Sequence, residues 1–236
     1  MPRPKAVTAW SYSRWSGWDT CPLQFKLRTI DKLPEPPSPA MTRGGDIHTM
    51  AEDWVAAPKK LPLPEELDSF PDEFIALRAL RRKKKAAIFK EAGPMVEVEM
   101  EWSFTDEWER TAWFGPDAWC RIKVDVFVFD KVLPRCIDHK TGKIREAHIE
   151  QMGLYALGAF KRYPMIEAVQ SELWYLDAGV EKTLVFNRVD HEVKLQKKWE
   201  KRAAGLMSDR RFVPRQSPIC RWCNFSASKG GQCEFG

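Results

Sequence analysis

The 236-residue chain predicts an α/β fold, a mixed central sheet flanked by helices, with a helical N-terminal region and a cysteine-rich C-terminal tail. Three observations lead there. Segments of helical texture separated by prolines fill the first ninety or so residues. After Gly93-Pro94 the pattern changes, and Val96-Glu97-Val98-Glu99-Met100-Glu101-Trp102 alternates apolar and polar, as a half-buried strand does. Further β-rich runs follow, with a segment of helical period, 148–162, inserted among them.

Each element has a local reason. Ser11 and Ser13 precede a tryptophan-rich helix, and a serine hydroxyl can accept from the free amides of a first turn. Cys21-Pro22 restarts that helix, since proline is tolerated in a first turn, and it continues to Ile30. Pro34, Pro36, Pro37 and Pro39 impose a rigid break. A helix is expected over 41–55, a loop over 58–64 and one or two charged helices over 65–91. Strands are expected at 96–104, at 120–129 and through Asp138, then at 172–176 and 182–186 after the inserted helix. Residues 190–204 form an amphipathic helix with a Lys/Arg-rich outer face and Gly205 as its stop. The chain reads as one domain, in which residues 1–92 are helical, 93–207 form an α/β core and 208–236 form a tail that packs on the N-terminal helix.

Composition narrows the setting. No run of eighteen apolar residues and no signal-peptide core is present, so a cytoplasmic protein without membrane partners is expected. A net charge of +5 permits nucleic-acid binding without demonstrating it. The run Arg78, Arg81, Arg82, Lys83, Lys84 and Lys85 is either a solvated helix face or a DNA contact. Most of the eleven tryptophans are expected in the core or at its rim, with stacking on unpaired bases open to some. Six cysteines without a secretory signal argue for metal ligation or burial rather than disulfides. Cys120 and Cys136 lie in β-rich runs and read as packing residues, whereas Cys220-Arg221-Trp222-Cys223 is a chelating pair followed by Cys233. With Cys21 these make four thiolates, and spacing alone favours neither zinc nor a [4Fe–4S] cluster.

The chemistry concentrates in Asp138-His139-Lys140. In a strand, Asp138 and Lys140 point to one face and His139 to the other. Asp125 lies in the preceding strand, where Ile122, Val124, Val126 and Val128 are expected on one side and Arg121, Lys123, Asp125 and Phe127 on the opposite one. An aspartate among valines is costly to bury unless it is paired or bound to a cation. Two carboxylates and a lysine on adjacent strands can hold a divalent cation beside a polarised water. His48 and Glu52 share a helix face at i, i+4, as do Gln151 and Tyr155. Glu97 or Glu99 could supply a further carboxylate, and nothing in the pattern selects either.

Asp125 followed by Asp138-X-Lys140 resembles the signature of the PD-(D/E)XK nuclease superfamily. The flanking motifs resemble its RecB-type exonuclease branch: Ser11-Tyr12-Ser13 with Cys21-Pro22, then Gly44-Gly45-Asp46-Ile47-His48, then Gln151 with Tyr155. Cys220, Cys223 and Cys233 with Cys21 resemble the iron–sulfur subset, which includes the CRISPR-adaptation and AddB-type nucleases. The resemblance implies a restriction-endonuclease-like sheet and a DNA exonuclease dependent on Mg²⁺ or Mn²⁺. It implies ligation by His48, Asp125, Asp138 and the backbone carbonyl of His139, activation of water by Lys140, and support from Gln151 and Tyr155. It further implies a structural [4Fe–4S] cluster, with zinc as the alternative. The expected substrate is DNA, single-stranded or with free ends, in recombination, repair or CRISPR-adaptation-like processing. The compact size suits a phage version, and a recombination or annealing protein is the expected partner. A non-catalytic DNA-binding or assembly subunit of the same fold is the competing reading, and intact Asp125, Asp138 and Lys140 weigh against it.

Overall fold

The computed structural model describes residues 7–36, 38–59 and 61–235. The sheet begins where the sequence texture changes. Its strands are β1 (Val96–Phe104), β2 (Arg110–Thr111), β3 (Cys120–Val128), β4 (Arg135–Lys140), β5 (Ala168–Tyr175) and β6 (Val180–Asn187), in the order β2-β1-β3-β4-β5-β6. All neighbours are antiparallel except β4 and β5, which run parallel. Parallel neighbours need a crossover, and helix α5 (Ala147–Arg162) supplies it. The two-residue β2 is too short to leave a periodic signature.

The front of the chain gives α1 (Tyr12–Thr20), α2 (Pro22–Phe25), α3 (Pro39–Ala56) and α4 (Pro71–Arg81). Ser11 Oγ accepts from the Arg14 amide at 3.4 Å, so the expected cap forms. The extended backbone of Cys21 ends α1, and Pro22 opens α2. The charged stretch forms less helix than expected. Beyond Arg81 the chain turns, the Met95 amide donates to Lys83 O at 2.7 Å, and Lys84 bridges Pro94. Helix α6 (Arg188–Ser208) runs through Gly205 rather than stopping there. A Cβ at Gly205 would lie 3.0 Å from the Trp18 ring, so this glycine permits close packing of α6 on α1. No helix among the described residues is long and apolar enough to cross a membrane.

Two cores lie on the two sides of the sheet. One joins Trp102, Phe104, Ile122 and Val124 to Leu154 and Leu157 of α5 and Trp199 of α6. The other joins Val96, Val126, Val128 and Ile137 to Ile47 and Val55 of α3 and Phe74 and Leu77 of α4. The expectation that Ile122, Val124, Val126 and Val128 share one face is therefore corrected. The first two enter one core and the last two the other, while Phe127 joins the core of Ile122. No residue is inserted, since Val98 pairs Val126 and Met100 pairs Val124. The change of face occurs at Asp125 and the residue across from it, Glu99, whose φ of +52° lies in the left-handed region. A glutamate held there is strained, and such strain is maintained only where the surroundings impose it.

The tail returns to the chain's start. Trp18 Nε1 donates to Asp209 Oδ2 at 2.8 Å, and Gln24 Nε2 lies 3.4 Å from Cys223 Sγ.

Candidate active site

Helix α3 reaches the sheet where Gly44 passes the turn after β4. A Cβ at Gly44 would lie 3.0 Å from Thr141 Oγ1, so the glycine lets the helix approach this turn closely. Arg43 clamps the same turn by pairing with Asp177 at 2.8 and 3.0 Å, and Asp177 also accepts from the Gly142 amide at 2.6 Å. This places His48 and Glu52 over β3. His48 Nδ1 is 3.1 Å from Asp125 Oδ2, and the same oxygen accepts from the His139 amide at 2.7 Å. One donor atom from each of His48, Glu52 and Asp125 lies within 4.8 Å of the others. An imidazole and two carboxylates at that separation can close on one divalent cation.

Electrostatics distinguish the three. Burial pushes Asp125 up, but the hydrogen bond and charge of His48 and the His139 amide hold it below the usual carboxylate range. Burial opposes charge on His48, and Asp125 outweighs it, so His48 is raised. Glu52 is pushed up to about 7, first by burial and then by the charges of Glu99 and Asp125. A carboxyl group that keeps its proton because it is buried beside other carboxylates can exchange that proton for a cation.

Beside this cluster, β4 and α5 build a closed ring of hydrogen bonds. Asp138 is only 3% exposed, and its Oδ2 lies 2.5 Å from Lys140 Nζ. Lys140 Nζ donates to Gln151 Oε1 at 2.8 Å, Gln151 Nε2 donates to the Tyr155 hydroxyl at 2.5 Å, and that hydroxyl donates to Asp138 Oδ1. Every donor and acceptor role is thereby fixed. Burial raises the Asp138 pKa, with Lys140 acting against it. Asp138 lies outside the three-donor cluster of His48, Glu52 and Asp125.

The His139 ring is on the other side of the strand, fully buried, 5.2 Å from the Phe74 ring and 5.6 Å from that of Trp174. Burial lowers its pKa to about 4, so the ring is neutral. The ligand set expected from the sequence did not include Glu52, which the structure brings to His48 and Asp125, and it left the choice between Glu97 and Glu99 open. The spacing of Glu52 from His48 was the available signal for that residue, whereas only the backbone conformation singles out Glu99 from Glu97.

The basic run needs correction. Arg78 is buried, with its guanidinium 4.6 Å from the Trp54 ring centroid, and it donates to Ala57 O at 3.4 Å. Lys85 is paired with Glu97 at 2.7 Å and Glu91 at 3.3 Å, 3.8 Å from the Phe129 ring centroid. Arg81 donates to Val96 O at 2.7 Å. These three hold α4 and the entry to β1, which leaves Arg82, Lys83 and Lys84 exposed.

Cys21, Cys220, Cys223 and Cys233 line one cavity with Leu27, and all four are free thiols. Among the described residues no three of these sulfurs approach within 4.8 Å of one another.

A mixed sheet that presents Asp125 on one strand and Asp138-X-Lys140 on the next, backed by the helix of Gln151 and Tyr155, is the framework of a nuclease. The sequence model of the PD-(D/E)XK nuclease superfamily matches residues 9–228, and the chain belongs to that superfamily. No curated protein matches the chain. Among solved structures, SSO0001 is similar at 14% identity and a TM-score of 0.44, over 94% of this chain and 85% of that one. A Eubacterium rectale protein provisionally assigned as an exonuclease gives 11% identity and a TM-score of 0.44, over 92% and 87%. A phage-related exonuclease from Haemophilus somnus 129PT gives 11% identity and a TM-score of 0.32, over 86% and 94%.

Proposed function

We propose that the protein is a divalent-metal-dependent deoxyribonuclease that hydrolyses phosphodiester bonds from DNA ends. The observation that carries this reading is the ring of Asp138, Lys140, Gln151 and Tyr155 beside the cluster of His48, Glu52 and Asp125. A nuclease must bring a water to phosphorus and stabilise the charge that develops on the phosphoryl oxygens. Asp125, Asp138 and His48, with Glu52, would hold Mg²⁺ or Mn²⁺, which supplies Lewis acidity at the scissile phosphate. The Lys140 ammonium orients the attacking water and neutralises charge on the phosphate. Gln151 fixes Lys140 through its carbonyl, and Tyr155 fixes Asp138 through its hydroxyl, so neither group must reorganise during reaction. Arg82, Lys83 and Lys84 remain available to phosphates outside the site.

Cys21, Cys220, Cys223 and Cys233 line one cavity, and four thiolates gathered there would hold a structural [4Fe–4S] cluster, with zinc as the alternative. That cluster would tie the tail to α1 and α2, away from the hydrolytic site. End processing in recombination or repair is the pathway this chemistry serves.

The test is cleavage of end-labelled linear DNA with Mn²⁺, beside the same DNA as a covalently closed circle. The wild type should degrade only the linear form, and Asp138→Ala and Lys140→Ala should each lose about a hundredfold or more. Wild-type rates in either variant would remove the site assignment, and equal cutting of circle and linear DNA would make the protein an endonuclease.

A further inference from the structure

A cleft of about 290 Å³ opens beside the lysine ring. Gln151 and Tyr155 form one end, and the remainder includes Ser11, Ser13 and Arg14 at the start of α1 together with Trp113 and Arg121. Neither arginine has a carboxylate partner among the described residues. Arg14 Nη1 donates to Ala9 O at 2.6 Å, and its remaining N–H groups are unassigned. Arg121 Nε is buried with no hydrogen-bond partner among the described residues. Two cations facing one cleft without a counter-charge repel one another. Burial first, and then the charge of Arg121, lower the Arg14 pKa. The serine hydroxyls stand beside them, Ser11 Oγ 3.1 Å from Ser13 Oγ. The arrangement is an anion site in which the donors are in place.

Two aromatic rings flank Arg121, Trp113 in the lining of the cleft and Phe114 next to it outside that lining. Arg121 lies 5.7 Å from the Trp113 ring centroid and 5.4 Å from that of Phe114. Phe114 is 84% exposed, on the turn between β2 and β3. An exposed phenyl ring beside an unpaired arginine offers a face for a base and a charge for the adjoining phosphate. Arg121 precedes Asp125 by four residues on β3, which at about 3.3 Å per residue is about 13 Å, the span of a few nucleotides.

We infer that this cleft is a single-strand subsite: Arg14 and Arg121 take a phosphate of the DNA strand a few nucleotides from the scissile bond, and Phe114 and Trp113 stack its bases. The inference rests on the nuclease reading and adds the substrate's form, since paired bases do not offer their faces for stacking. The anchored phosphate is either the strand's terminal one or an internal one.

The experiment uses the full chain and the variants Arg121→Gln and Phe114→Ala, the second being exposed enough to leave folding intact. Binding of a fluorescent twelve-nucleotide oligodeoxythymidylate is measured by anisotropy with Ca²⁺, with and without a 5′-phosphate. In parallel, the rate on that oligonucleotide is divided by the rate on bis(p-nitrophenyl) phosphate, which is too small to span the cleft. Both variants should bind the oligonucleotide about tenfold more weakly, and the rate ratio should fall by a similar factor. A loss by Arg121→Gln confined to the phosphorylated strand assigns the terminal phosphate, and an equal loss on both strands assigns an internal one. Unchanged binding and an unchanged ratio in both variants, with DNA still cut by the wild type, would overturn the subsite and leave the nuclease reading intact. A wild type that binds no single-stranded oligonucleotide would overturn the subsite, and one that also leaves linear DNA uncut with Mn²⁺ would overturn the nuclease reading as well.

Discussion

Replacing Glu52 with glutamine separates a metal-binding carboxylate from one that is merely buried. Glu52 is pushed up to about 7 by burial and by Glu99 and Asp125. Only its deprotonated form can donate to a cation, so binding must expel whatever proton it carries. For a group of pKa about 7, that share is about 0.9 proton at pH 6, 0.5 at pH 7 and 0.1 at pH 8. His48, also raised, contributes its own proton in both proteins and drops out of the difference. The assay is calorimetric titration with Mn²⁺ in two buffers of different ionisation heat, at each pH, for the wild type and Glu52→Gln. The wild type should release about one proton more than the variant at pH 6 and no more at pH 8. Its affinity should weaken as pH falls below 7, by up to about tenfold per unit from this one group. Equal proton release by the two proteins at pH 6 would refute the reasoning and leave Glu52 a spectator.

Three further outcomes follow from other regions of the molecule. Protein purified without oxygen should carry about four irons per chain, and Cys233→Ser should lose the metal together with thermal stability; one zinc per chain would replace the cluster. His139 is held near 4 against an unfolded value of 6.5, so the unfolded chain takes up a proton that the native one refuses, and stability drains away as pH falls from about 6.5 to 4. Relative to His139→Phe, the wild type should lose about 1.4 kcal/mol per pH unit across that window in urea unfolding, and parallel profiles would contradict this. Arg78→Ala should lower stability by about 1–3 kcal/mol without changing the salt slope of DNA binding, because the guanidinium bonds to carbonyls under Trp54 rather than to phosphate. A flatter slope with unchanged stability would restore it to the DNA surface.

Much of the architecture was legible because its signals are local. Proline and serine mark the helix starts at Ser11 and Pro22, and alternation marks β1. The i, i+2 relation of Asp138 and Lys140 and the i, i+4 relations of His48 with Glu52 and of Gln151 with Tyr155 follow from helix and strand geometry. What failed depends on the rest of the chain. A left-handed φ at Glu99 leaves no mark in a sequence, since glutamate is not the residue usually found there, and without it the change of face in β3 cannot be foreseen. Arg78 and Lys85 belong to a charge run that reads as solvated until Trp54 and Phe129 are known to lie against them. Gly205 has the residue type of a helix stop, and only the Trp18 ring shows that it is needed for contact.

The change of face between Val124 and Val126 has a bearing on how this sequence can vary. Two aliphatic residues on one strand, separated only by Asp125, answer to different halves of the chain: Val124 to the cluster of Trp102 and Leu157, Val126 to that of Ile47 and Phe74. A larger side chain at either position has to be absorbed within its own cluster, so compensating substitutions should pair 124 with one set of partners and 126 with the other. Each half can then be repacked independently over evolutionary time while the aspartate at their joint stays fixed.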